Sequence, residues 1–291
     1  MSKIRAFIKS RPLLYRPLRS VLRLRHWRAE RAEWALRNRE VCGCPDNDRI
    51  PRVEGAGRIE GNTQVMHNGI RIRTGSYYGS AVTKMLELNR GVHEPQEEWV
   101  FQEVLRHVRP DGVMMELGAY WGFYSMWFMT GQPARRAVLV EPEAANLERG
   151  RDNFSLAGLN GSFVKAFVGE NPGTDELGQR TVSVDELMEQ FKIPRLDILH
   201  SDIQGFETAM LRGARKSLER KAIDYVFIST HGQDKHDECR TVLRQAGFEI
   251  IADAGMADTY SHDGLIVARR SDLAGQGPVA IALKSRDGVR G

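Results

Sequence analysis

The chain has 291 residues, 41% of them hydrophobic and 27% charged. That composition fits one large globular domain with an appendage, and it excludes a wholly disordered, collagen-like or mucin-like chain. The net charge of +4 is unevenly spread: residues 1–40 carry 12 Lys/Arg and 3 Asp/Glu, so the remaining 251 residues sum to −5 and give no reason to expect nucleic-acid binding.

Residues 1–40 read as a basic helical arm, broken by Pro12 and Pro17. Ile4, Phe7 and Ile8, then Leu18, Val21 and Leu22, recur at helical spacing among basic residues. That pattern suits either a solvated arm or a helix lying on an anionic membrane. No apolar run reaches the roughly 18–20 residues needed to span a bilayer. The first residues also lack the apolar core and cleavage site of a secretory leader. Three cysteines, with Cys42 and Cys44 too close for a zinc knuckle, point to a reducing cytoplasm, with the inner membrane face as a peripheral alternative.

Residues 41–92 read as a connector with a small hairpin and a lid-like segment. Thr63–His67 and Ile70–Thr74 flank Asn68-Gly69, the signal for a type I′ turn. From residue 93 to 270 helices and strands alternate. Strands are expected at 113–117, 137–141, 163–168, 196–201, 223–230, 247–252 and 264–269. Helices are expected at 95–108, from Phe123, and at 143–157, 183–191, 205–218 and 235–246. Ser183 and Glu186 mark one helix start as a capping box. Short apolar strands without alternation are buried on both faces. The class is therefore α/β: a doubly wound, mostly parallel, seven-stranded Rossmann-like sheet closed by an antiparallel pair. Residues 271–291 read as a flexible tail.

The chemistry gathers at strand ends. Glu116-Leu117-Gly118-Ala119-Tyr120-Trp121-Gly122 forms a strand-to-helix turn. Glycines let backbone approach a ligand, and a helix N-terminus offers free N–H groups. The spacing is G-x-x-x-G rather than the dinucleotide fingerprint, and an acid precedes it. Glu116 would repel a pyrophosphate but suit the ammonium of S-adenosylmethionine (SAM). Glu141, before Pro142 and 23 residues past Gly118, stands where an acid can bond both ribose hydroxyls. Asp202 ends a central strand and is a candidate base, metal holder or N-cap. His231 ends the neighbouring strand and is a second candidate base, with Asp202 as its orienter. Glu207 would contact substrate or favour the helix N-terminus. Tyr120 and Trp121 are placed to pack on cofactor or acceptor, and Tyr77 and Tyr78 to cover the acceptor. Gln96 and Glu97 are placed to close the cofactor site. His200, His262 and Asp263 are weaker candidates. Asp202, His231, His262 and Asp263 could supply an O/N metal site, but no metal is predicted.

The segments Glu116–Gly122, Glu141-Pro142, Val182–Leu187, Asp202-Ile203-Gln204-Gly205-Phe206-Glu207 and Met210-Leu211-Arg212-Gly213-Ala214 together resemble the FkbM-type SAM-dependent methyltransferases. The likeness covers about residues 93–270. It implies a class I methyltransferase fold, SAM as cofactor, and O-methylation of a glycan, lipid-linked sugar or secondary metabolite. On this reading Glu116, Gly118, Ala119, Tyr120, Gly122, Glu141 and Pro142 hold SAM, and Tyr78, Trp121, Gln204 and Glu207 meet the acceptor. The sequence departs from the family's pattern at His200-Ser201, Gln204 and Ser229-Thr230-His231. A catalytically degenerate SAM-binding module tethered to a membrane is the alternative, and a nicotinamide-dependent oxidoreductase a lesser one.

Overall fold

The protein is represented by a computed structural model that describes residues 31–287. The basic stretch over 1–30 lies outside the described residues. Residues 31–43 are helical, and within them the Arg37 guanidinium lies 5.1 Å from the centre of the Trp34 ring. Val41 onward forms a separate compact unit.

That unit opens with a small antiparallel sheet of β1 (Ile59–Glu60), β2 (Thr63–Val65) and β3 (Arg71–Arg73). The β2–β3 hairpin has a different turn from the type I′ expected. Only Gly69 of the Asn68-Gly69 pair has positive φ, at 88°. The Gly69 N–H donates to the Met66 carbonyl, and the Met66 N–H to that of Ile70. The turn is thus centred on His67-Asn68, with Gly69 as its left-handed residue. His67 is drawn inward, 3.0 Å from the buried Glu98.

Helices α1 (Gly79–Leu88) and α2 (Pro95–Leu105) follow. Next come β4 (Val113–Leu117), α3 (Phe123–Met129), β5 (Arg136–Val140), α4 (Ala144–Leu156) and β6 (Ser162–Val164). The expected strand 163–168 is split. β7 (Phe167–Val168) leaves the large sheet and pairs with β9 (Arg180–Val182), which also pairs with β8 (Gly173–Thr174). These strands of two or three residues are too short to leave a periodic signal.

The chain continues through α5 (Val184–Gln190) and β10 (Leu196–Ser201) into α6 (Glu207–Gly213) and α7 (Arg215–Glu219). The single helix expected over 205–218 is therefore two. Gly213 passes so close to the loop after β7 that a Cβ would lie 2.4 Å from the Gly169 carbonyl oxygen. The second helix starts afresh because the Asp185 carboxylate accepts the Lys216 and Ser217 N–H groups, each at 2.9 Å. β11 (Ile223–Thr230), α8 (Gln233–Gln245), β12 (Phe248–Ala254) and β13 (Gly264–Arg270) complete the body.

The large sheet has the order β12-β13-β11-β10-β4-β5-β6. All pairs are parallel except the two made by β13. The expected α/β class and closing antiparallel pair are both present. Strands β4, β10 and β11 are buried along their whole length, so each needs cover on both faces. One face packs Met115, Leu199, Val226 and Ile228 against α5, α6 and α8, through residues such as Leu187, Met210 and Leu243. On the other face Phe101 meets the Phe227 ring at 5.4 Å. The order reverses between β4 and β10, which opens a crevice at their carboxyl ends.

The tail is not frayed through the described residues. The Val279 N–H donates to Ile251, the Ala282 N–H to Asp46, and the Gln276 N–H to the Tyr225 hydroxyl.

Candidate active site

A cavity of about 880 Å³ occupies that crevice. Its walls come from the turn after β4, the end of β5, the loop after β10, Tyr77 and Tyr78, and the β7–β9 region. All the expected cofactor residues except Gly122 line it, as do Tyr78, Trp121, Asp202 and Gln204.

The β4 turn is held by its own packing. Gly118 has φ of 75°, and a Cβ there would stand 1.8 Å from the Asp202 carbonyl oxygen. Gly122 has φ of 73° and lies against Phe154. These two glycines are therefore required by the fold before any ligand binds. The Gly118 and Ala119 N–H groups both donate to the Val140 carbonyl, at 2.9 and 3.0 Å. They are committed to the protein, contrary to the sequence expectation of free N–H groups at this turn.

Glu141 sits at the end of β5, 5% exposed. It accepts the Tyr120 N–H at 3.2 Å and the Glu143 N–H at 2.9 Å. Each oxygen keeps capacity for a further donor such as a ribose hydroxyl. Burial pushes its carboxyl pKa upward, and the backbone N–H groups oppose that shift. Glu116, deeper in β4, accepts the Ser125 N–H at 2.9 Å, and burial raises its carboxyl too. Above the turn, aromatic rings form one wall: Tyr77 stacks on Trp121 at 4.6 Å, and Tyr78 lies 5.3 Å from Tyr120.

Asp202 and Gln204 line the cavity near the end of β10, and His231 stands behind them. The His231 Nε2 is 3.3 Å from Asp202 Oδ1 and 3.3 Å from Asp263 Oδ1. Its Nδ1 is 2.7 Å from Glu207 Oε1. Burial alone would lower the imidazole pKa, but Asp202, Glu207 and Asp263 outweigh it and carry it up to about 10. Glu207 itself is wholly buried and also accepts the Gly205 N–H at 2.8 Å. It therefore supports the ring and the loop instead of meeting an acceptor, which corrects its reading as a substrate contact. Asp263, a weaker candidate in the sequence, joins Asp202 and His231 in one group that leaves out His262.

A second polar group, of which the sequence reading singled out Gln96, Glu97 and His200, lies between α2 and the sheet. His200 Nε2 is 2.6 Å from Glu97 Oε1, whose partner oxygen accepts the Ser229 hydroxyl at 3.2 Å. The Tyr124 hydroxyl donates to Glu94 at 3.0 Å. Glu94 also lies 3.2 Å from His93, which is 2.6 Å from Glu98. Glu97 thus pairs with His200, which lines the cavity together with His93, Glu94, Tyr124 and Ser229. Gln96 holds the C-terminal segment, donating to Ala282 at 2.7 Å and accepting the Tyr260 N–H at 2.8 Å. The group's further members His93, Glu94 and Glu98 left no sequence signal beyond the density of Glu and His over 93–98.

Residues 158–250 match the family model of the methyltransferase FkbM domain. The match to the FkbM methyltransferase domain spans 93 of the 291 residues. Such domains are SAM-dependent methyltransferases, and the matched stretch includes Asp202, Glu207 and His231. No curated protein matches the chain. Among solved structures, similarity is found to precorrin-6y C5,15-methyltransferase from Geobacter metallireducens GS-15, with 16% identity, 60% of this chain and 87% of that chain covered, and a TM-score of 0.42. M. capricolum TrmK in complex with S-adenosyl-homocysteine is 11% identical, with 59% and 68% covered and a TM-score of 0.40. Ribosomal protein L11 methylase from Lactobacillus delbrueckii subsp. bulgaricus is 12% identical, with 62% and 80% covered and a TM-score of 0.43.

Proposed function

We propose that the FkbM-type domain transfers the methyl group of SAM to a hydroxyl of a glycan, a lipid-linked sugar or a secondary metabolite. The observation that carries this reading is one cavity bounded by Glu141 and the β4 turn at one side and by Asp202 at the other. Glu141 would take the ribose hydroxyls, and Glu116 the ammonium of the methionine part. The exposed aromatic rings of Tyr78 and Phe206 at the rim suit the apolar face of a sugar ring.

The reaction needs alignment of oxygen, carbon and sulfur, and loss of the hydroxyl proton. In this reading Asp202 accepts that proton while His231 holds the carboxylate in place. The oxygen pair forms the O–CH3 bond as the C–S bond breaks, and its electron pair stays on sulfur as S-adenosylhomocysteine leaves.

The test is methyl-labelled SAM with fractionated glycans, lipids and small metabolites, followed by Asp202→Asn on the fraction that takes up label. The expected result is a drop in kcat of roughly 100-fold or more with SAM affinity kept. SAM binding without label in any fraction would favour the degenerate-module alternative. The arm over 1–40 is proposed to meet anionic membranes, and equal vesicle co-sedimentation of the full chain and residues 41–291 would dismiss that role.

A further inference from the structure

We propose that Asp202, His231 and Asp263 form a divalent-cation site at the margin of the cavity, with Glu207 orienting the histidine. One oxygen from each carboxylate and the His231 Nε2 lie within 4.8 Å of one another. The two Nε2–carboxylate distances are both 3.3 Å. Donors about 2.1 Å from one ion stand roughly 3.0–3.4 Å apart in octahedral or tetrahedral geometry, which the two histidine–carboxylate spacings already meet.

The other ring nitrogen adds an independent reason. A metal-bound imidazole usually gives its second N–H to a carboxylate, which fixes ring orientation. Glu207 does this at 2.7 Å from a wholly buried position. Its Oε2 has no hydrogen-bond partner among the described residues. No Lys or Arg among the described residues pairs with Asp202 or Glu207. Among the described residues His231 is the one positive partner of Glu207, and a dication at the other ring nitrogen would add positive charge beside the three carboxylates.

Gln204 offers a fourth contact. Its amide nitrogen lies 2.9 Å from His231 Nε2, and turning the amide end for end brings the carbonyl oxygen to the same place. Three oxygen donors and one imidazole suit Mn2+ or Mg2+ with open positions left for a ligand. This inference rests on the methyl-transfer reading for its purpose. An acceptor hydroxyl bound to the ion would be acidified, and its proton would pass to the Asp202 oxygen not held by the ion.

The experiment titrates Mn2+ alone into the full chain and follows free Mn2+ by electron paramagnetic resonance, with SAM affinity measured separately by calorimetry. One ion per chain is expected, displaced by excess Mg2+. Affinity should fall at least about 10-fold in Asp263→Asn and roughly 10–100-fold in Glu207→Gln, with circular dichroism confirming the fold. SAM affinity in Asp263→Asn should stay within about twofold. Absence of Mn2+ binding to the wild-type chain would overturn the site, leaving a proton-bridged histidine in its place. So would undiminished binding in both Asp263→Asn and His231→Ala. Failure of the wild-type chain to bind SAM while Mn2+ binds as expected would sink the methyl-transfer reading and leave the ion site standing.

Discussion

Glu141 carries its role through two backbone contacts that aim its carboxylate, and this makes it the cleanest probe of the cofactor end. Gly118 is a poor probe, because any side chain there collides with the Asp202 backbone and would disrupt the turn itself. Replacing Glu141 with Ala should weaken SAM binding about 10-fold or more, the cost of one to two charge-assisted hydrogen bonds. Calorimetry with SAM checks this, and an unchanged dissociation constant would remove Glu141 from the site. The residue was legible in the sequence because its spacing from the glycine turn is set by one β-α-β unit. Glu207 was legible as a polar residue but not in its role. Its contact with His231 joins elements 24 residues apart in the chain, and no local pattern encodes that.

At the element scale, the start of α2 is built on like charges that histidines make tolerable. Glu94, Glu97 and Glu98 are all buried there. His93 would lose its proton on burial alone, but Glu94 and Glu98 more than compensate and hold its pKa up to about 10. The imidazoles of His93 and His67 in turn keep the Glu98 carboxyl far below its ordinary range, against the effect of burial. A histidine raised from about 6.5 stabilises the fold fully below pH 6.5, and this contribution is lost as pH climbs through 10. Urea midpoints should therefore fall between pH 6.5 and 10, and His93→Gln should flatten that fall. The slope would not vanish, because His231 shifts in the same direction. Parallel profiles for the two proteins would refute the assignment. The short strands β7 to β9 show the other limit of the sequence: Phe167-Val168 and Thr181-Val182 favour strand locally, but which strands they pair with is decided only in the fold.

At the scale of the whole molecule, the C-terminal segment works as a strap. It crosses from Ile251 to α2, where Trp99 donates to Ala280 and Gln96 to Ala282, and it reaches Asp46 at the start of the unit. The scarcity of large apolar residues made it look like a fraying end, but its anchors are backbone groups, which composition does not reveal. Removing residues 271–291 should lower the melting temperature by several degrees, since Gln96, Asp46 and Tyr225 would lose buried partners. Scanning calorimetry of the truncated chain checks this, and an unchanged transition would show the strap to be dispensable.

The sequence by itself determined the order and type of the long elements, the glycine turn after β4 and the two acids Glu116 and Glu141. Those features follow from hydrophobic spacing and turn chemistry within stretches of a dozen residues or fewer. Tertiary structure alone decided that His231 faces three carboxylates, that Glu97 pairs with His200, and that the tail closes over α2. In each case the partners are far apart in the chain and meet only in the packed fold. Burial then sets their charge states, and burial belongs to the packed molecule and to no segment of it.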